Sequence, residues 1–255
     1  MNLIGKTIVI TGASSGIGAE TARLMRQRGA RVIGVDRNAP QLTLDGFVQA
    51  DLSEPAAIDA AVEQLPERID GLCNVAGVPG TAPVQLLERV NYLGQRHLTE
   101  RVAERMPAGG SIVQVSSILG HFYPERLAQH KALAQAQGFE GGQAWLNAHP
   151  VAQKGCYEYF KEALIVWTLL RAQSLFRERD VRMNCVAPGP VFTPILGDFV
   201  TQLGQERVDA DATRIKRPAF ADEVAPALAF LCSDDARWIN GVNLPVDGGF
   251  AASYL

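Results

Sequence analysis

The chain alternates short apolar, β-branched runs with longer stretches of helical spacing. Runs at 6–11 (KTIVIT), 30–36 (ARVIGVD), 69–75 (IDGLCNV), 111–117 (SIVQVSS), 181–187 (VRMNCVA) and 243–246 (NLPV) predict strands, with a weaker one at 47–50 (FVQA). Between them the spacing predicts amphipathic helices, the first over Ile17 to Arg28 and ending at Gly29, a residue suited to a left-handed cap. The strands are apolar almost throughout, as in parallel strands covered on both faces. Such alternation predicts an α/β doubly wound parallel sheet of the Rossmann type, whose ligands sit beyond the carboxyl ends of the strands. No internal repeat, low-complexity segment or linker divides residues 1–255, so a single domain is expected.

Composition adds mainly exclusions. A chain of 255 residues with 47% hydrophobic and 20% charged positions can bury a sizeable core. Its net charge of -3 argues against a polyanionic partner, so no nucleic acid is expected. The run Arg214-Ile215-Lys216-Arg217 is too short for a nucleic-acid footprint and reads as a solvated rim. The longest apolar stretch, Ala163 to Leu170, is far too short to span a bilayer, and no signal-like segment precedes the first strand. The expectation is a soluble cytoplasmic protein without a membrane partner. Cys73, Cys156, Cys185 and Cys232 form no CxxC, and His97, His121, His130 and His149 form no HExxH. Reduced core thiols are therefore expected, and no metal site.

Two stretches carry candidate chemistry. The first strand runs straight into TGASSGIG (11–18) and then a helix. Glycines at 12, 16 and 18 permit a tight turn and close backbone approach, and the following helix N-terminus offers free N–H groups to a pyrophosphate. The next strand ends at Asp36, whose carboxylate can accept from an adenosine ribose and would repel a 2′-phosphate, favouring NAD over NADP. Arg37 beside it is the competing signal, since a guanidinium can receive that phosphate. The second stretch, CYEYFKEAL (156–164), sets two phenols near one lysine. On a helix, residues four apart share a face and residues two apart diverge, so Lys161 can serve Tyr157 but not Tyr159. A free phenol has a pKa near 10, too high for a base at neutral pH, and a neighbouring ammonium is expected to lower it.

Taken in order, TGxxxGxG, the Asp51-Leu52 pair, NVAG (74–77), the serines closing the fifth strand, YxxxK at 157–161, PGPVFT (188–193) and DGG (247–249) resemble the short-chain dehydrogenase/reductase family over nearly the whole length. The resemblance implies an NAD-dependent alcohol dehydrogenase. Tyr157 would be the general acid/base, Ser117 the donor to the substrate oxygen, Lys161 the group that also holds the nicotinamide ribose, and Asn91 of VNYLG a link in a proton path through water. The cofactor would be held by Gly12, Ser14, Ser15, Gly16, Ile17 and Gly18 of the loop and by Asp36 and Arg37. Asp51 and Leu52 would meet the adenine, and the backbone around Asn74, Ala76 and Gly77 the adenosine ribose. Val191 and Thr193 would meet the nicotinamide amide and phosphates, with Pro188 and Gly189 shaping that loop. A nucleotide-binding protein without chemistry is the alternative, but it has no need of Ser117, Tyr157, Lys161 and Asn91 together.

Forty positions separate Ser117 from Tyr157, more than in most of the family. The excess, about His121 to Lys154, is expected to be a helical insertion lining either the pocket or a subunit interface, because it enters beside the YxxxK helix. A homo-oligomer, dimer or tetramer, is expected. Residues around Val78-Pro79, Leu119 to Tyr123 and Pro190 to Phe192, with a lid bearing Ile195, Leu196, Phe199 and Leu203, suggest an apolar pocket. Such a lining suits a flat hydrophobic alcohol, and the resemblance implies a small-molecule aromatic alcohol, with a 3α-hydroxysteroid as the alternative.

Overall fold

The computed structural model describes residues 1–254, and within it the side chains of Phe199, Gln202, Leu203, Gln205, Arg207 and Ala212 lie outside the described set. The expected lid contacts of Phe199 and Leu203 therefore fall outside it as well. Each run expected as a strand is one, within two residues at either end. They are β1 (Thr7–Thr11), β2 (Arg31–Asp36), β3 (Gly46–Gln49), β4 (Gly71–Asn74), β5 (Ser111–Val115) and β6 (Arg182–Pro188). Two two-residue strands, β7 (Val191–Phe192) and β8 (Ala219–Phe220), pair with each other, and β9 (Asn243–Val246) completes the main sheet. Neither β7 nor β8 is long enough to carry a periodic signal.

The main sheet is parallel in the order β3-β2-β1-β4-β5-β6-β9. From β1 the chain moves outward to β2 and β3, then crosses back to lay β4 on the other side of β1. That reversal opens a crevice beyond the carboxyl ends of β1 and β4. Within β1, Ile8 and Ile10 join one core with Ala22, Met25, Val224 and Leu228, while Val9 joins the other with Leu98 and Leu164. Both faces are thus buried, at about 1.5–3 kcal/mol for each fully buried aliphatic side chain.

The helices are α1 (Gly16–Gln27), α2 (Pro55–Gln64), α3 (Val84–Glu88), α4 (Gln95–Ala103), α5 (Leu127–Gln135), α6 (Gly138–Ala148) and α7 (Cys156–Arg179). Then come α8 (Leu196–Leu203), α9 (Gln205–Ile215) and α10 (Ala221–Cys232). Helix α1 buries Gly18, Thr21, Ala22 and Met25, a stripe at helical spacing. A Cβ at Gly18 would stand 2.0 Å from the Gly12 carbonyl oxygen, so this close approach of helix to loop requires glycine. Gly29 takes the positive φ of 88° expected of the cap.

Helix α7 buries side chains all round its first turns, from Tyr157 and Tyr159 through Lys161, Glu162 and Leu164. The sheet covers one side and the insertion covers another. Leu133 on α5 and Phe139 and Leu146 on α6 are buried in the same core as α7. Pro124 opens the insertion at a single 3₁₀ turn (Tyr123–Arg126) rather than at the helix itself. The inserted segment is therefore core structure, packed against α7.

Candidate active site

The crevice holds a cavity of about 410 Å³. Gly12, Ser14, Ser15, Gly16, Ile17 and Gly18 line one wall. Asp36 and Arg37, then Asp51 and Leu52, line its outer end, and Ala76, Gly77 and Thr193 its inner end. Ser15 caps α1 without a side-chain hydrogen bond, so the first-turn N–H groups are left for a ligand. Asp36 Oδ2 accepts from Ser14 N at 3.0 Å and Ser14 Oγ at 2.6 Å, which fixes the carboxylate against the loop. Arg37 is exposed at the same rim. Burial works to raise the Asp51 carboxyl, but hydrogen bonds from Ser53 outweigh it and hold the group below its ordinary range. An open helix terminus, a glycine cradle and a flanking carboxylate fit a dinucleotide.

Asn74 does not line this cavity. It is fully buried, and its amide donates to Thr99 Oγ1 at 2.7 Å. Its neighbours Ala76 and Gly77 present the backbone instead.

A second cavity, of about 110 Å³, adjoins the first and is lined by Ser117, Tyr157 and Lys161 together with Pro188, Gly189 and Val191. Ser117 closes β5 and opens a 3₁₀ turn (Ile118–Gly120), where its Oγ accepts from Leu119 N at 3.2 Å. A Cβ at Gly120 would stand 3.1 Å from the Lys161 carbonyl carbon, so glycine lets this turn lie against α7. That contact brings Ser117 within hydrogen-bonding reach of the Tyr157 hydroxyl. Lys161 Nζ lies 5.7 Å from the centre of the Tyr157 ring and donates to Val115 O at 2.9 Å. Tyr159, as helical geometry requires, faces away, against His130 of the insertion at 4.7 Å between ring centres. Ser116 donates to Val186 O and Asn243 Oδ1, each at 3.2 Å, the strand-end role its position suggests.

Electrostatics correct one expectation. Burial pushes the Tyr157 phenol above its ordinary value, and only the Ser117 hydrogen bond pulls against it. Burial also pushes Lys161 down to about 8. In the protein alone the lysine does not deliver the lowering expected of it, because the same low-dielectric surroundings disfavour both charged forms.

A family model described as short chain dehydrogenase matches residues 6–132, and one described as enoyl-(acyl carrier protein) reductase matches residues 145–251. Over 100% of both chains, this sequence is 65% identical to coniferyl-alcohol dehydrogenase of Pseudomonas sp. strain HR199. The chain belongs to the short-chain dehydrogenase/reductase family. It is also 31% identical to momilactone A synthase of Oryza sativa subsp. japonica, with 98% of this chain and 91% of that one covered. Among solved structures, 3α-hydroxysteroid dehydrogenase from Pseudomonas sp. B-0831, complexed with NADH, superposes with a TM-score of 0.81 at 31% identity, with 98% of each chain covered. The protein is thus an oxidoreductase of a family that uses NAD or NADP.

The family motifs do not show what holds the loop after β4. Thr11 Oγ1 accepts from Val75 N at 3.0 Å and from Ala76 N at 3.1 Å, and Gln95 Nε2 donates to Ala76 O at 2.8 Å. Asn91 completes the clamp. Its Oδ1 accepts from Val78 N at 2.8 Å and its Nδ2 donates to Val78 O at 2.9 Å. Asn91 sits in a π-helical turn (Arg89–Gly94) between α3 and α4, fully buried, and lines neither cavity. Such turns re-aim side chains at functional sites. Thr11 was in view as the first letter of the loop motif, whereas nothing marks Gln95 in the sequence.

The expected substrate lining is met in part. Leu119, Pro190 and Leu196 line an apolar pocket beside Ser117, and Ile195 lines the cavity that holds Tyr157. His121 and Phe122 instead pack on Tyr254, at ring distances of 5.9 and 5.2 Å, and Phe192 is half exposed against Phe220. No helix among the described residues is long and apolar enough to cross a membrane.

Proposed function

We propose that the protein oxidises coniferyl alcohol to coniferyl aldehyde with NAD. The observation that carries this reading is that Ser117, Tyr157 and Lys161 line one cavity at the meeting point of the dinucleotide-sized cavity and the apolar pocket. The substrate alcohol oxygen lies between the Ser117 and Tyr157 hydroxyls. Tyr157, as the phenolate left once its own proton has passed to solvent, takes the alcohol proton, while Ser117 donates to the oxygen as its charge changes. When bound, NAD supplies the acceptor for the hydride leaving the carbinol carbon. The loop at 12–18 and Asp36 bind it, and Lys161, beside Gly77 and Tyr157, holds the ribose end. Asn91 acts through Val78 as a positioning residue, and the proton path to solvent runs past it.

Asp36 supports NAD over NADP. Its carboxylate is already oriented by Ser14 and stands where a 2′-phosphate would bring a second negative charge. The relative at 65% identity and the apolar lining both support an aromatic alcohol. A homo-oligomer belongs to this reading, and Trp238, 87% exposed beside Phe176, is the kind of apolar surface that copies of the chain would cover. Steady-state kinetics with coniferyl alcohol and a 3α-hydroxysteroid, each with NAD and NADP, tests the proposal. kcat/KM should favour coniferyl alcohol and NAD, each by about tenfold or more, equivalent to about 1.4 kcal/mol. Equal or reversed values for the alcohols would sink the substrate, and a preference for NADP would show that Arg37 dominates the rim.

A further inference from the structure

The apolar pocket beside Ser117 is walled by Leu119, Pro190, Leu196, Val208, Ile215 and Phe250. It shares Ser117, Gly189 and Pro190 with the cavity that holds Tyr157, so a molecule reacting there extends into it. Among the described residues, Asp211 is the one charged residue in this lining. Its position runs against pattern. Val208, Asp211 and Ile215 stand three and four residues apart on α9, hence on one helical face, and all three line the pocket. A sequence that served the fold alone would keep the middle of that stripe apolar, and such local violations concentrate at functional sites.

We propose that Asp211 is a specificity-determining residue, its carboxylate accepting a hydrogen bond from a hydroxyl at the far end of the substrate, the phenol of a 4-hydroxyphenyl alcohol. The inference rests on the aromatic-alcohol reading above. Asp211 already makes an interaction within the protein. A carboxylate has two oxygens and about four acceptor sites, which leaves room for a further donor. A flat apolar ligand drives water from the pocket on binding. One that brings a hydroxyl replaces the lost hydrogen bond, while one that lacks it leaves the carboxylate under-solvated, which is how a polar group in an apolar site discriminates between near-identical substrates.

The test compares 4-hydroxycinnamyl alcohol with cinnamyl alcohol, which differ only in that hydroxyl, in the full-length wild type, Asp211→Leu and Asp211→Asn with NAD. The wild type should prefer the hydroxylated alcohol in kcat/KM by about tenfold or more. In Asp211→Leu the ratio should fall to about one, and in Asp211→Asn, whose amide oxygen still accepts, to an intermediate value. An unchanged ratio in Asp211→Leu, or equal losses on both alcohols, overturns the proposal. Should Asp211→Leu not fold, the Asp211→Asn ratio decides, and a value equal to that of the wild type overturns it. A wild type that oxidises both alcohols without preference sinks the Asp211 assignment alone, whereas turnover of neither sinks the substrate reading with it.

Discussion

Tyr157 and Tyr159 sit two residues apart on one helix, both are at least nine-tenths buried, and burial pushes both phenols up. Only one borders the cavity. Tyr157 lines a cavity together with Ser117 and lies near Lys161. Tyr159 faces the insertion, between the His130 ring and the Arg126 guanidinium, and its hydroxyl finds no hydrogen-bond partner among the described residues. A raised phenol pKa therefore marks burial and not function. What separates the two faces of α7 is which groups the rest of the fold delivers to each.

The largest expected effect breaks the front face alone. Tyr157→Phe removes the proposed proton acceptor while keeping the ring, so kcat should fall by about 10³-fold or more. NAD binding, measured by calorimetry, should persist. Near-normal turnover would show that another group takes the proton.

Lys161 tests whether the front face is held against its own stability. Its folded pKa of about 8 lies below the ordinary 10.5, so between those values the unfolded chain binds the extra proton and stability rises with pH. Without cofactor, Lys161→Met should unfold at higher denaturant than the wild type at pH 7, and the gap should close between pH 8 and 10.5. Turnover should be lost throughout. A pH-independent gap would mean that the buried ammonium carries no such penalty.

On the back face the charges are satisfied. Arg126 Nε donates to Glu162 Oε2 at 2.8 Å, and His130 Nε2 stands 2.8 Å from the same oxygen. Burial works to raise the Glu162 carboxyl, but these two hydrogen bonds outweigh it and the group is held below its ordinary 4.5. The stability it contributes is present above that value and is lost as pH falls through the folded pKa. Glu162→Gln should cost about 2 kcal/mol at pH 7, read by urea unfolding, with less loss in acid and kcat little changed. A kcat effect as large as that of Tyr157→Phe would merge the two faces into one.

The front face was largely legible in the sequence, and the back face was not. Strands, the glycine loop and YxxxK are local patterns, with their residues close together along the chain, and periodicity exposes them. Ser117, forty positions from Tyr157, is set apart from Ser116 only by its match to the family's motif. Arg126, His130 and Glu162 meet only because α5 lies across α7, and Asn91 reaches Val78 only through a π-helical turn. No spacing rule anticipates such meetings, since each depends on where separate segments cross.

The smallest expected effect is the sharpest test of the contrast, because it makes the same substitution two residues further along. Tyr159→Phe deletes a hydroxyl without a hydrogen-bond partner among the described residues and keeps the ring between His130, 4.7 Å away, and Arg126, 5.8 Å away. A buried hydroxyl without a hydrogen bond is a cost the folded state carries, so its removal should leave stability unchanged or raise it by up to about 1 kcal/mol, roughly 2–4 °C in Tm for a chain of this size. Turnover and NAD binding should match the wild type. Calorimetry of Tyr159→Phe beside Tyr157→Phe reads both halves of the comparison at once. A loss of stability above about 1 kcal/mol would mean that the hydroxyl has a partner after all, and a loss of turnover would return the catalytic assignment to either tyrosine.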